Sequence, residues 1–318
     1  MADTLEETIK VLQARKKNNR DPNDDWRHPK MKEKFKGIVT EEEFRELIMP
    51  VDTNIDFSKV ILSQENKDKY NKFITEHQFA DELLEHNLRP MNRLLMYGAS
   101  GTGKTFSSKA LANLLEYDFL YVDIANALAN GQVAQNMKKV FEMGNVGECI
   151  VMLDECDSLA VSRDSKTAEN GDMRRALNSL FQLMDQSNPK IIIVAATNML
   201  HRLDPAFERR FDIKLEFRRP DLNIKAVIKK FMFPEFTFVD DVDDTTDFIV
   251  NNRAKQYTKL SYYELQGIVE RAMKKAIIHG NTNLMASDVY SELKITLKIK
   301  DRFCTTVDID QPLPDDKK

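Results

Sequence analysis

Gly98-Ala99-Ser100-Gly101-Thr102-Gly103-Lys104-Thr105 is the stretch that decides the fold. It satisfies every position of the phosphate-loop pattern G-x-x-x-x-G-K-[ST]. Arg93 to Tyr97 reads as a short buried strand entering it, and Phe106 to Leu115 has helical spacing leaving it. Strand, loop and helix in that order separate a phosphate loop from a chance match. Gly98, Gly101 and Gly103 let the backbone turn tightly and aim its N–H groups at one point. A phosphate placed there also faces a helix N-terminus, where unpaired N–H groups and the dipole favour negative charge. In this pattern Lys104 reaches the β- and γ-phosphates and the Thr105 hydroxyl ligates Mg²⁺. The implied ligand is a nucleoside triphosphate with Mg²⁺, cradled by Gly98, Ala99, Ser100, Gly101, Thr102, Gly103, Lys104, Thr105 and Phe106.

Downstream, apolar runs at Phe119–Ile124, Cys149–Leu153, Ile191–Ala195 and Ile213–Phe217 alternate with helical patterns. That alternation predicts an α/β domain with a doubly wound parallel sheet and helices on both faces. After Pro220 no strand candidate stands out, and Asn223–Phe231, Tyr262–Ile278 and Ala286–Leu297 read as helices of a separate subdomain. Before the sheet, Leu5, Ile9 and Leu12 have helical spacing, and Thr40 followed by Glu43 marks a capped short helix ended by Pro50. The expected organisation is a helical N-terminal element over 1–55, the α/β nucleotide-binding domain over 56–218, a helical subdomain over 219–300 and a flexible tail over 301–318.

Cys149 to Glu155 is an apolar strand that delivers two carboxylates at its C-terminal end. In a doubly wound sheet, ligands bind at that edge. Asp154 is expected to hold Mg²⁺ through water, and Glu155 to polarise the attacking water. Ile191 to Asn198 is a second strand ending in polar residues, which places Asn198 near the γ-phosphate or the water. Arg209 and Arg210 precede Phe211-Asp212. Adjacent arginines are ordinarily surface charge, yet phosphoryl transfer gains about 10³–10⁵ in rate from a mobile guanidinium.

The 318 residues are 42% hydrophobic and 31% charged, with a net charge of −4, so no global pull towards nucleic acid or anionic membrane exists. Cys149, Cys156 and Cys304 lack pairing or metal-ligand spacing, which reads as a reducing compartment. No apolar run is long enough to span a membrane and the N-terminus is polar. The expected location is the cytoplasm.

In order, Gly98–Thr105, Cys149–Asp157, Ala195–Asn198 and Asp204–Asp212 resemble the AAA family of P-loop ATPases, over about 56–297. The lead-in Leu88-Arg89-Pro90 and the spacing are most similar to stand-alone bacterial single-domain members, akin to the spastin and katanin branch. The resemblance implies a five-stranded sheet domain, a helical lid, ATP with Mg²⁺ as cofactors, and a homo-oligomeric ring, usually a hexamer, with ATP at its interfaces. It makes Asn198 the sensor residue, and Arg209 and Arg210 the arginines offered to a neighbour's ATP, with Arg210 the better match.

Three positions depart from the family pattern. The central-pore loop aligns with Ala129-Asn130-Gly131, which lacks the aromatic residue that grips extended peptide. The inter-subunit Asp-Gly-Phe signal aligns with Asp185-Gln186-Ser187, where only the aspartate is kept. Lys259–Leu265 carries no arginine at the second-sensor position. The leading expectation is an ATP-hydrolysing ring that remodels a protein partner. The alternatives are an ATP-gated switch governing an effector such as a protease or nuclease, and a DNA-handling ATPase of helicase-loader type. The last rests on a basic N-terminal zone that includes Lys34 and Lys36, with Trp26 and Phe35 interleaved. Arg163 to Gly171 reads as a polar loop, with Arg174 and Arg175 on the helix that follows.

Overall fold

A computed structural model of the chain describes residues 4–15, 34–124, 133–157, 169–220, 224–238 and 260–304. The chain divides into two compact units, residues 1–217 and 218–318. In the first, the apolar runs become five strands: β1 (Arg93–Tyr97), β2 (Asp118–Asp123), β3 (Cys149–Asp154), β4 (Ile192–Thr197) and β5 (Ile213–Glu216). They form one parallel sheet in the order β2-β3-β4-β1-β5. β3, β4 and most of β1 are buried on both faces, as central strands of a helix-covered parallel sheet must be.

Alternation along each strand sorts the core into two clusters. Leu95, Val151, Leu153, Ile193 and Ala195 face one side, together with Met137, Val140 and Phe141 of α6 (Val133–Gly144) and Leu177, Leu180 and Met184 of α7 (Glu169–Gln186). Leu94, Met96, Ile150, Met152, Ile192 and Val194 face the other. There they meet Tyr70, Phe73 and Ile74 of α3 (Gln64–Gln78) and Ala110, Leu111 and Leu114 of α5 (Lys104–Leu115). The helix α7 starts at Glu169, so the polar stretch expected to loop as far as Gly171 is helical at its end.

The N-terminal residues are divided between these two faces. Leu5 and Ile9 of α1 (Leu5–Arg15) enter the cluster of α3 and α5. Phe35, Leu47 and Ile48 enter the opposite cluster, around α2 (Glu41–Leu47). The short helix α2 carries the expected capping box: Thr40 Oγ1 accepts from the Glu43 N–H, and the Glu43 carboxylate accepts from the Thr40 N–H. Between these contacts the arm meets the open edge of the sheet at β2, where Lys34 pairs with Asp118 and the Met49 N–H donates to the Tyr121 carbonyl at 3.0 Å. Unpaired strand edges are usually covered in this way. The helix α4 (Ala80–Glu85) follows α3, and α8 (Pro205–Glu208) lies between β4 and β5.

The second unit contains α9 (Ile224–Phe231), α10 (Tyr262–Ile278) and α11 (Ala286–Cys304). A Ser261–Glu264 capping box starts α10, and α11 runs past the Leu297 limit that periodicity indicates. Glu292 of α11, buried to 4% exposure, is held by Arg271 and Lys275 of α10, and these cations keep its pKa below the usual glutamate value. This unit also has a two-residue parallel pair that the sequence does not announce, β6 (Thr237–Phe238) beside β7 (Asn283–Leu284). Two residues are too few for hydrophobic alternation to show.

Candidate functional site

The carboxyl ends of β1, β3 and β4 lie side by side, and the loops leaving them form the site. The phosphate loop leaves β1 at Gly98, whose φ is 142° and whose absent side chain matters: a Cβ there would stand 2.0 Å from the Phe217 carbonyl oxygen. Gly103, at φ 101°, turns the chain into α5. The Thr102 hydroxyl donates to the Ala99 carbonyl at 2.7 Å and braces the loop from inside. Ser100 and Gly101 lie at its tip, Gly101 in the left-handed region (φ 72°), and Phe106 follows on the first turn of α5.

Lys104 is only 7% exposed, and its ammonium donates to Gly98 O at 2.7 Å, Ala99 O at 3.0 Å and Asn198 Oδ1 at 2.8 Å. All three of its protons are therefore used. Burial draws its pKa below the ordinary lysine value, and the Asp154 and Asp157 carboxylates offset part of that shift. One ammonium thus ties the β1 loop to the end of β4 and brings Lys104 and Asn198 together.

At the end of β3, Asp154 Oδ2 accepts the Thr105 hydroxyl proton at 2.9 Å. That donation leaves the hydroxyl's lone pairs free, which is what a cation ligand needs. Among the described residues no group of three or more His, Cys, Asp or Glu side chains could hold a metal by itself. A hydroxyl beside one carboxylate instead fits Mg²⁺, which keeps several waters and shares its shell with substrate phosphates.

Glu155 is exposed and sits in the left-handed region at φ 52°. That conformation costs a non-glycine residue about 1–3 kcal/mol and persists only when its surroundings impose it. The flanking bonds do so: the Glu155 N–H donates to Asp154 Oδ1 at 3.0 Å, and the Cys156 N–H to the Ala196 carbonyl at 3.0 Å. The Cys156 side chain is buried, and burial pushes its thiol pKa well above the usual value, so it stays protonated and serves packing. Asp157 accepts from the Thr197 hydroxyl at 3.0 Å, a second tie between β3 and β4.

The two arginines are not alike. Arg209 is exposed, with its Nε–H donating to the Pro205 carbonyl at 3.2 Å. Arg210 turns inward: its guanidinium lies 3.9 Å from the Phe181 ring centroid, one nitrogen donates to Ala206 O at 2.9 Å, and another is 3.6 Å from Asp185 Oδ2. Its Nε is buried with no partner among the described residues. Asp185 also pairs with Arg93 at 3.2 Å, and Arg93 and Arg89 donate to the carbonyls that end α7. Cations suit the negative end of the helix dipole there.

One sequence reading is answered by burial. Phe35, counted with the basic N-terminal zone, is 2% exposed in the core and cannot stack on a base. Ala129-Asn130-Gly131, Trp26 and residues 158–168 lie outside the described residues. One contact had no sequence signal: the Tyr121 hydroxyl donates to Asp154 Oδ2 at 2.8 Å. Only the strand register reveals it, because Tyr121 pairs with Met152, two residues before Asp154 on the same face.

A family model described as ATPase family associated with various cellular activities (AAA) matches residues 94–219. The uncharacterized AAA family ATPase y4kL of Sinorhizobium fredii is 31% identical over 231 residues, covering 72% of this chain and 67% of that protein. Proteasome-activating nucleotidase 1 of Haloferax volcanii is 32% identical over 212 residues, covering 64% of this chain and 51% of that protein. The 26S proteasome regulatory subunit 6B homolog of Dictyostelium discoideum is 27% identical over 246 residues, covering 75% and 59%. The chain therefore spans about two thirds of the first relative and just over half of the other two. With the phosphate loop, the acidic end of β3 and Asn198 at one sheet edge, these matches place the chain in the AAA family of ATPases, carrying that family's ATP-hydrolysing domain.

Proposed function

We propose that the chain binds ATP with Mg²⁺ at this edge, hydrolyses it at sites completed by a neighbouring copy, and uses the cycle to remodel a protein partner. The observation that carries the reading is the convergence of Lys104, Thr105, Asp154, Glu155 and Asn198 on the ends of three adjacent strands. Lys104 exchanges its loop carbonyls for the β- and γ-phosphate oxygens, which accept more strongly than neutral carbonyls. Thr105 would offer the ion a lone pair while its hydroxyl proton stays hydrogen-bonded to Asp154 Oδ2. An Mg²⁺ ion held by Thr105 and, through water, by Asp154 would supply positive charge to offset that of the phosphates during transfer. Glu155, exposed beside it, takes the proton of the attacking water, and the Asn198 amide, oriented through Lys104, directs that water or the γ-phosphate.

The arginine pair is the neighbour's contribution. Exposed Arg209 is the one free to reach a partner's phosphates from this conformation, and Arg210 reaches them after leaving Phe181 and Asp185. A protein as the partner is consistent with the proteasomal names of two relatives. The sequence at Ala129-Asn130-Gly131 supports a second reading, an ATP-gated switch on a separate effector, because that segment offers little apolar grip. Restoring an aromatic with Ala129→Tyr and assaying unfolding of a tagged protein distinguishes the two: processive unfolding by the wild-type chain excludes the switch. The DNA-handling reading loses support with Phe35 in the core and Lys34 paired to Asp118.

Complementation tests the shared site. Lys104→Ala lacks a working nucleotide site but keeps its arginines; the double variant Arg209→Ala/Arg210→Ala has the reverse defect. Each alone is expected to lose about 10³-fold in turnover or more. Mixed together they regain activity, because one supplies the ATP site and the other the guanidinium. No recovery on mixing, with specific activity independent of protein concentration, contradicts the shared site.

A further inference from the structure

Asp154 has more hydrogen-bond partners than an ion-organising carboxylate requires. Its Oδ2 accepts from Thr105 Oγ1 at 2.9 Å and from the Tyr121 hydroxyl at 2.8 Å, and its Oδ1 accepts from the Glu155 N–H at 3.0 Å. An ionised carboxylate has about four acceptor sites, so these donors leave about one, on Oδ1. Tyr121 is itself held in place from three sides. Its strand pairs with β3 in a register that puts Tyr121 and Asp154 on the face of α5. Its ring stacks on Phe119 with centroids 6.4 Å apart, and its carbonyl accepts the Met49 N–H from the N-terminal arm.

We propose that Tyr121 is a positioning residue for the metal: its hydroxyl closes Asp154 Oδ2, so that the carboxylate meets a Mg²⁺-bound water from Oδ1 in a single orientation. The inference rests on the reading of Asp154 as the carboxylate that organises Mg²⁺. Without the phenol proton, Oδ2 keeps only the Thr105 bond and Oδ1 the Glu155 N–H, so two donors hold the carboxylate instead of three and it turns more readily about its Cβ–Cγ bond. Both oxygens then compete for the ion's water shell, and the preorganised arrangement is lost. Partners that orient a metal-binding group from outside its coordination shell typically control about 10–100-fold in metal affinity.

The test uses the full chain and a fluorescent ATP analogue. Tyr121→Phe keeps the ring on Phe119 and removes only the hydroxyl. The Mg²⁺ concentration that half-saturates analogue binding is expected to rise about 10-fold, while analogue affinity in EDTA stays at the wild-type value. Tyr121→Met, which keeps apolar bulk, is measured alongside in case the first variant misfolds. Asp154→Asn is the control. A shift for Asp154→Asn without one for the Tyr121 variants overturns the role of Tyr121 alone. No shift for either overturns the Mg²⁺ reading of Asp154 and the inference with it. Weakened binding in EDTA assigns Tyr121 a general packing role and also overturns the proposal.

Discussion

The corner around Lys104 and the N-terminal arm around Phe35 are built from opposite materials. At the corner the decisive side chains are polar, and the apolar core serves to hold three strand ends in line. In the arm the charged residues lie at the surface, while Phe35, Leu47 and Ile48 anchor the chain in the core beside α6 and α7. Both regions look charged in the sequence. What separates them is where the few apolar residues go, and an aromatic among lysines becomes a core residue when a sheet face is available to cover it.

The sharpest way to break this contrast is Phe35→Ala. Removing a buried phenylalanine is expected to cost about 3–5 kcal/mol of stability in denaturant unfolding, while ATP affinity of the folded protein stays unchanged. A loss of ATP affinity with stability intact assigns the arm to the site instead. Lys104→Ala is the converse case. Truncating one partner of a buried, hydrogen-bonded charge pair costs about 2–5 kcal/mol of binding, so the rise in melting temperature that ATP produces in the wild type is expected to vanish. An undiminished rise removes Lys104 from the phosphate site. The smallest expected effect is that of Thr40→Ala, which deletes half of the α2 capping box and costs about 1 kcal/mol, read as a small drop in the unfolding midpoint with hydrolysis unaffected. A drop in hydrolysis couples the arm to the site, the route being Met49 to Tyr121 to Asp154.

Much of the corner was legible in the sequence because its signals are local. A phosphate loop is contiguous, and Asp154 and Asn198 each close an apolar run, so strand ends and polar residues are read together. β1 and α10 match the apolar patterns residue for residue. The arm was less legible because its partners are distant: Lys34 finds Asp118, and Met49 finds Tyr121, only after the sheet exists. The same reason hid the Tyr121–Asp154 contact, which depends on strand register. It also hid the difference between Arg209 and Arg210, since adjacency says nothing of the Phe181 ring that holds Arg210 inward.

The central claim is that Glu155, held in its left-handed turn beside Asp154, activates the water that attacks ATP. It is tested most directly by measuring ATP binding and steady-state hydrolysis of Glu155→Gln under the same conditions as the wild type. Removing a positioned general base costs about 10²–10⁴ in rate. The account predicts wild-type ATP affinity with turnover reduced by that factor; hydrolysis at the wild-type rate contradicts it.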